Sequence, residues 1–96
     1  MPKSIATVTM PTPAKYMVRL AKHFEHRITV ERDERSATFN FPDGVCRAAA
    51  SDTELTLDLT ATNDDTLSRY QEVIGRHLKQ VAAKEADFDV VWSPKS

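Results

Sequence analysis

Three histidines, His23, His26 and His77, are the residues of this chain whose type and spacing point most directly to coordination chemistry. Neutral imidazole is a good ligand for zinc, iron or copper, and three of them would leave an open metal site. If the residues before His26 form a helix, His23 lies about 100° from Phe24, at the margin of the apolar stripe. His26 falls further round, on the polar face. In a second helix His77 lies about 60° from Ile74, again at a margin and stacked over Val73. Helices laid side by side would let His23 and His77 approach each other. Histidines three apart at a helix end also cap carbonyls and favour the dipole. No carboxylate or cysteine completes a ligand spacing here. Structural or surface histidines are therefore the first expectation, with a metal site at His23, His26 and His77 as the alternative.

A second group could bind rather than ligate. Lys15, Arg19, Lys22 and His26 recur at helical spacing and form a basic stripe opposite the apolar face. Lys15, Arg19 and Lys22 are the candidates for docking an anionic partner. A solvated outer helix face accounts for them equally simply, and is the plainer explanation.

Other chemistry is poorly supplied. Cys46 is the single cysteine, so it makes neither an internal disulfide nor a cysteine-based zinc cage. Its register faces the core, where a thiol acts as a small apolar group. The two glycines, Gly44 and Gly75, exclude a glycine-rich phosphate loop. No Ser-His-Asp or paired-carboxylate arrangement can be read from spacing. No catalytic residue is assigned, and no cofactor is expected beyond the metal ion of the histidine alternative. Gly75, inside a helical pattern, costs about 1 kcal/mol against alanine and suggests close contact with a neighbouring backbone or a ligand.

Charge and composition narrow the classes further. The net charge of −1 argues against a nucleic-acid binder. It is unevenly spread, with +4 over residues 1–27, −6 over 28–65 and +1 over 66–96. A hydrophobic share of 41% suffices for one core. No apolar run is long enough to span a membrane, and no apolar leader follows Met1. Cytoplasm is the expected compartment, and a monomer the expected state.

The elements that must position these groups follow from periodicity. Ser4 to Met10 alternates as a strand. Thr12 as N-cap and Pro13 at the first helical position open a helix whose stripe is Met17, Leu20, Ala21 and Phe24. Four short strands follow, around Ile28–Glu31, Ala37–Phe41, Cys46–Ala50 and Leu55–Thr60. Pro42-Asp43-Gly44 makes the central hairpin, with Gly44 tolerating positive φ. Asn63-Asp64-Asp65 opens a second helix with Leu67, Tyr70, Ile74, Leu78 and Val81 on its buried stripe. Phe88, Val90 and Trp92 alternate as a last strand, and residues 93–96 are expected to fray. The fold class is α+β: one domain over residues 1–96, in the order β-α-β-β-β-β-α-β. A mostly antiparallel sheet of about six strands should carry both helices on one face. Val8, Leu20, Phe24, Phe39, Phe41, Leu57, Leu59, Ile74, Leu78 and Val90 should form the core. Thr29, Glu31, Thr38, Asn40, Thr56, Asp58 and Thr60 should face water.

Amphipathicity does not require Lys22-His23-Phe24-Glu25-His26 or Arg76-His77-Leu78, and these belong to a wider set of runs. The set is Tyr16 with Leu20-Ala21-Lys22-His23-Phe24-Glu25-His26, Phe39-Asn40-Phe41 with Gly44-Val45-Cys46, Leu55-Thr56-Leu57, Arg76-His77-Leu78, and Trp92. Together they resemble the bacterial DUF2218 family over nearly the whole chain. The resemblance implies a small α+β fold found both as short stand-alone proteins and joined to siderophore-interacting, flavin-dependent reductases. It implies an iron-acquisition context, with such a reductase as protein partner, and supplies no catalytic residues. The expected function is a non-catalytic binding or accessory domain. The alternatives are the histidine-based metal-binding or small enzymatic domain and a homodimer built on the uncovered sheet face.

Overall fold

Alternation of apolar and polar residues builds the sheet, and small residues beside large ones make room for the helices. The computed structural model describes residues 1–82 and 88–95. Its elements are β1 (Lys3–Thr9), α1 (Pro13–Phe24), β2 (Thr29–Arg32), β3 (Ser36–Phe41), β4 (Gly44–Ala50), β5 (Glu54–Ala61), α2 (Asp64–Ala82) and β6 (Trp92–Lys95). The strands form one antiparallel sheet in the order β2-β3-β4-β5-β1-β6. This is the α+β arrangement that periodicity implies. No helix among the described residues is long and apolar enough to cross a membrane.

Leu55, Leu57 and Leu59 on β5 are fully buried. Their cross-strand neighbours are small: Leu57 lies opposite Ala6 on β1 and Ala48 on β4, and Leu59 lies opposite Cys46. That low centre receives Met17, Leu20, Ala21 and Phe24 from α1 and Ile74, Leu78 and Ala82 from α2. Each fully buried leucine contributes roughly 1.5–3 kcal/mol of transfer free energy. Phe41 and Val90, expected in the core, are half-buried at its margin. Tyr16, outside the predicted stripe, is buried as well.

The helix ends differ in how they are satisfied. Asn63 caps α2 as its type predicts, its Oδ1 accepting from the Thr66 amide at 2.8 Å. Thr12 occupies the corresponding place before α1, yet its hydroxyl makes no capping hydrogen bond. There the backbone carbonyl of Thr12 accepts from Lys15 at 3.1 Å and Tyr16 at 3.4 Å. Pro13 lowers the need for a side-chain cap by removing one unsatisfied donor.

The C-terminal strand departs from its expected limits. Alternation placed it over Phe88–Trp92 with a frayed end. The pairing strand is instead Trp92–Lys95, which runs antiparallel to β1 with Ser93 opposite Ile5 and Pro94 opposite Ser4. An edge position tolerates Pro94, which has no amide to donate. Ser4, almost fully buried, anchors this edge. Its hydroxyl donates to the Ser93 carbonyl at 3.2 Å and accepts from Gln71 Nε2 at 2.8 Å. Val90 is freed from the sheet and packs beside Gly75 of α2.

Candidate functional site

The last turn of α1 sets His23 and Phe24 side by side, with ring centroids 5.5 Å apart. From α2, His77 comes to 4.6 Å from His23 at an interplanar angle of 40°, and to 5.2 Å from Phe24. Phe24 meets Phe39 and Phe41 edge-to-face at 5.7 and 5.5 Å. Phe41 in turn stacks on Tyr70 of α2. The rings of His23, Phe24, Phe41, Tyr70 and His77 border a groove of about 640 Å³, completed by His26, Arg27, Ile28, Val73 and Gln80.

Local structure explains each placement. The chain leaves α1 tightly, with the Arg27 and Ile28 amides both donating to the Phe24 carbonyl. This holds Arg27 and Ile28 at the groove mouth. Phe41 ends β3, where the Pro42–Asp43 turn leads into Gly44. Gly44 can tolerate positive φ, but its backbone lies outside that region. Close approach is the reason for glycine: a Cβ there would lie 2.5 Å from the Thr60 carbonyl oxygen and 3.1 Å from Tyr70 Cε2. The Tyr70 hydroxyl also accepts from the Asp43 amide at 3.3 Å.

The two apposed imidazoles are not equivalent. His77 Nδ1 sits 2.6 Å from the Val73 carbonyl oxygen. A carbonyl can only accept, so Nδ1 carries the proton. In the neutral ring this leaves Nε2 with its lone pair available. His23 is held below the ordinary imidazole pKa, first by desolvation, then by the neighbouring His77, Arg27 and His26. The His23 ring is thereby biased toward its neutral form, which is the form that ligates metals and accepts hydrogen bonds.

The groove lies within the stretch that carries the family's pattern. A model for bacterial proteins described as "Uncharacterized protein conserved in bacteria (DUF2218)" matches residues 5–93. The chain belongs to the DUF2218 family. Among solved structures, the DUF2218 chain is similar to the NMR structure of PA4090 from Pseudomonas aeruginosa. The identity is 27% and the TM-score 0.79, over 98% of this chain and 97% of that one. No curated protein matches it.

Structural or surface histidines were the leading expectation, and within this DUF2218 fold the three weighed as an alternative metal set do not all converge. His23 and His77 meet, whereas His26 lines the same groove without joining them as a ligand. Among the described residues no group of three or more His, Cys, Asp or Glu side chains is arranged to hold a metal ion. The basic stripe lies on an exposed helix face. Lys15 and Arg19 lie over the ring of the buried Tyr16 at 5.8 and 5.6 Å. Arg19 also donates to the Val81 carbonyl of α2 at 3.4 Å. Lys22 is exposed. Cys46 is fully buried, and desolvation, followed by the Asp58 carboxylate, pushes its thiol up to about 12. Periodicity assigned Phe41 to the core and Tyr70 to a buried stripe, and did not single out Arg27. Their half-exposed rings lining a groove had one hint in the sequence, the Phe39-Asn40-Phe41 run beside a glycine turn.

Proposed function

We propose that this DUF2218 domain is a non-catalytic binding or accessory domain whose ligand site is the groove between the end of α1 and α2. The observation that carries this reading is the continuous row of rings from His23 through His77, Phe24 and Phe41 to Tyr70, with Arg27 at its edge. Ring faces favour a planar aromatic body, and a guanidinium favours an anionic substituent on it. Among the described residues lining the groove there is no carboxylate to partner an imidazole in acid–base work and no serine or cysteine nucleophile. A small aromatic acid or catecholate fits this surface. The resemblance to domains joined to siderophore-interacting reductases supplies a context for such a ligand, with that reductase as protein partner.

The test is an amide chemical-shift titration of the protein with 2,3-dihydroxybenzoate in the presence of a metal chelator. Shifts centred on His23, Arg27, Phe41 and Tyr70, weakened by Arg27→Gln, are expected. Shifts confined to another surface, or none at millimolar ligand, would refute the groove as the ligand site.

A further inference from the structure

We infer that His23 and His77 form a two-imidazole site for a borderline divalent metal ion, Cu²⁺ ahead of Zn²⁺, with its remaining positions open to the groove. The site differs from a three-histidine cluster in leaving His26 out, and it does not depend on the aromatic ligand proposed above.

The first support is distance. Metal–imidazole bonds of about 2.0–2.1 Å place the centroids of two rings sharing one ion about 4.5 Å apart at a right angle and about 5.2 Å apart at a tetrahedral one. The observed separation of the two rings is 4.6 Å, close to the right-angle value. Their 40° tilt also matches neither the offset-stacked nor the edge-to-face arrangement that ring pairs prefer for their own attraction. By contrast, His77 and Phe24 take an edge-on arrangement at 60°.

The second support is orientation. The Val73 carbonyl engages His77 Nδ1, which is the outer hydrogen bond that sets a ligating histidine's tautomer and leaves Nε2 unprotonated in the neutral ring. Phe24 packs against both rings and limits their rotation. The anchors come from two helices that the core holds together, so the pair is preformed rather than assembled by a loop. Two neutral ligands leave the ion's charge uncompensated, and Arg27 disfavours a bare dication. An anionic group entering from solvent completes the coordination more readily than a third protein ligand does. The expected metal preference follows the general order in which Cu²⁺ exceeds Zn²⁺ at nitrogen sites.

Cu²⁺ titration of the whole chain, followed by calorimetry and electron paramagnetic resonance, tests the inference. One ion per chain is expected, with a spectrum showing two coordinated nitrogens. His23→Gln and His77→Gln should each weaken binding at least about tenfold, whereas His26→Gln should not. Circular dichroism of each variant checks that it remains folded. A second measurement needs no variant: in the ¹⁵N-labelled wild type, substoichiometric Cu²⁺ should broaden the His23 and His77 ring signals first. Binding unaffected by either substitution, broadening led by His26, or no binding would overturn the site. The dihydroxybenzoate titration under chelator reads the aromatic groove separately, so either result can fail while the other stands.

Discussion

Tyr70 lies nearly flat on Phe41, with ring centroids 4.5 Å apart and planes 26° from parallel. This contact joins α2 to the end of β3, and it exists because Gly44 leaves space beneath the tyrosine ring. The aromatic wall of the groove therefore depends on a glycine in the adjoining turn.

The two glycines should respond oppositely to alanine. In Gly44→Ala the new Cβ meets the Thr60 carbonyl at 2.5 Å, a backbone atom that cannot swing aside. A loss of about 1–3 kcal/mol is expected, together with weakened ring-current shifts at Phe41 and Tyr70. In Gly75→Ala the nearest atom, Val90 Cβ, is at 3.5 Å, which is ordinary contact. There the helix gains propensity, so stability should rise by up to about 1 kcal/mol. Urea denaturation midpoints of both variants decide the matter, and a destabilised Gly75→Ala would contradict the packing described.

Leu57 is fully buried at the centre of the sheet, between Ala6 and Ala48. Leu57→Ala should cost about 2–5 kcal/mol, because small neighbours on both sides cannot fill the cavity. An unchanged midpoint would mean that the inward register of β5 is wrong.

Ser4→Ala removes the hydroxyl that links β1, β6 and α2. A loss of about 0.5–1.5 kcal/mol is expected, with faster amide exchange concentrated in β6. Equal protection of β6 in the variant would show that the strand is held by its ladder alone.

The Cys46 thiol, with its pKa raised from an ordinary 9.0 to about 12, should make the native state sensitive to alkali. The unfolded chain releases this proton near its ordinary value and the folded chain does so only near the raised one. The thiol's contribution is fully present below about pH 9 and is lost as pH rises toward about 12, by up to about 1.4 kcal/mol per unit. Wild-type stability should thus fall more steeply than that of Cys46→Ala between pH 8.5 and 10.5 in parallel urea titrations. Parallel curves would show that the thiol ionises alike in both states.

Much of the architecture was legible locally, for a physical reason. Leu55, Leu57 and Leu59 alternate because a half-buried strand must, and Met17, Leu20, Ala21 and Phe24 repeat because one helix face meets a core. Both periods can be read from the sequence, and from them follow the element order, the α+β class and most of the buried residues. Cap chemistry was legible at Asn63, where a side chain supplies the bond, and misleading at Thr12, where the backbone does. Trp92–Lys95 could not be placed from alternation, because an edge strand's register is set by its partner β1 and by the buried Ser4. The histidines show the same division. Helical geometry placed His23 and His77 on margins, and a margin side chain has no local signal for what it faces. Only packing decided that the His77 side of α2 meets α1 while the Gly75 side meets Val90. Helix–helix contact depends on how two apolar stripes share one sheet face, a relation that no single segment contains.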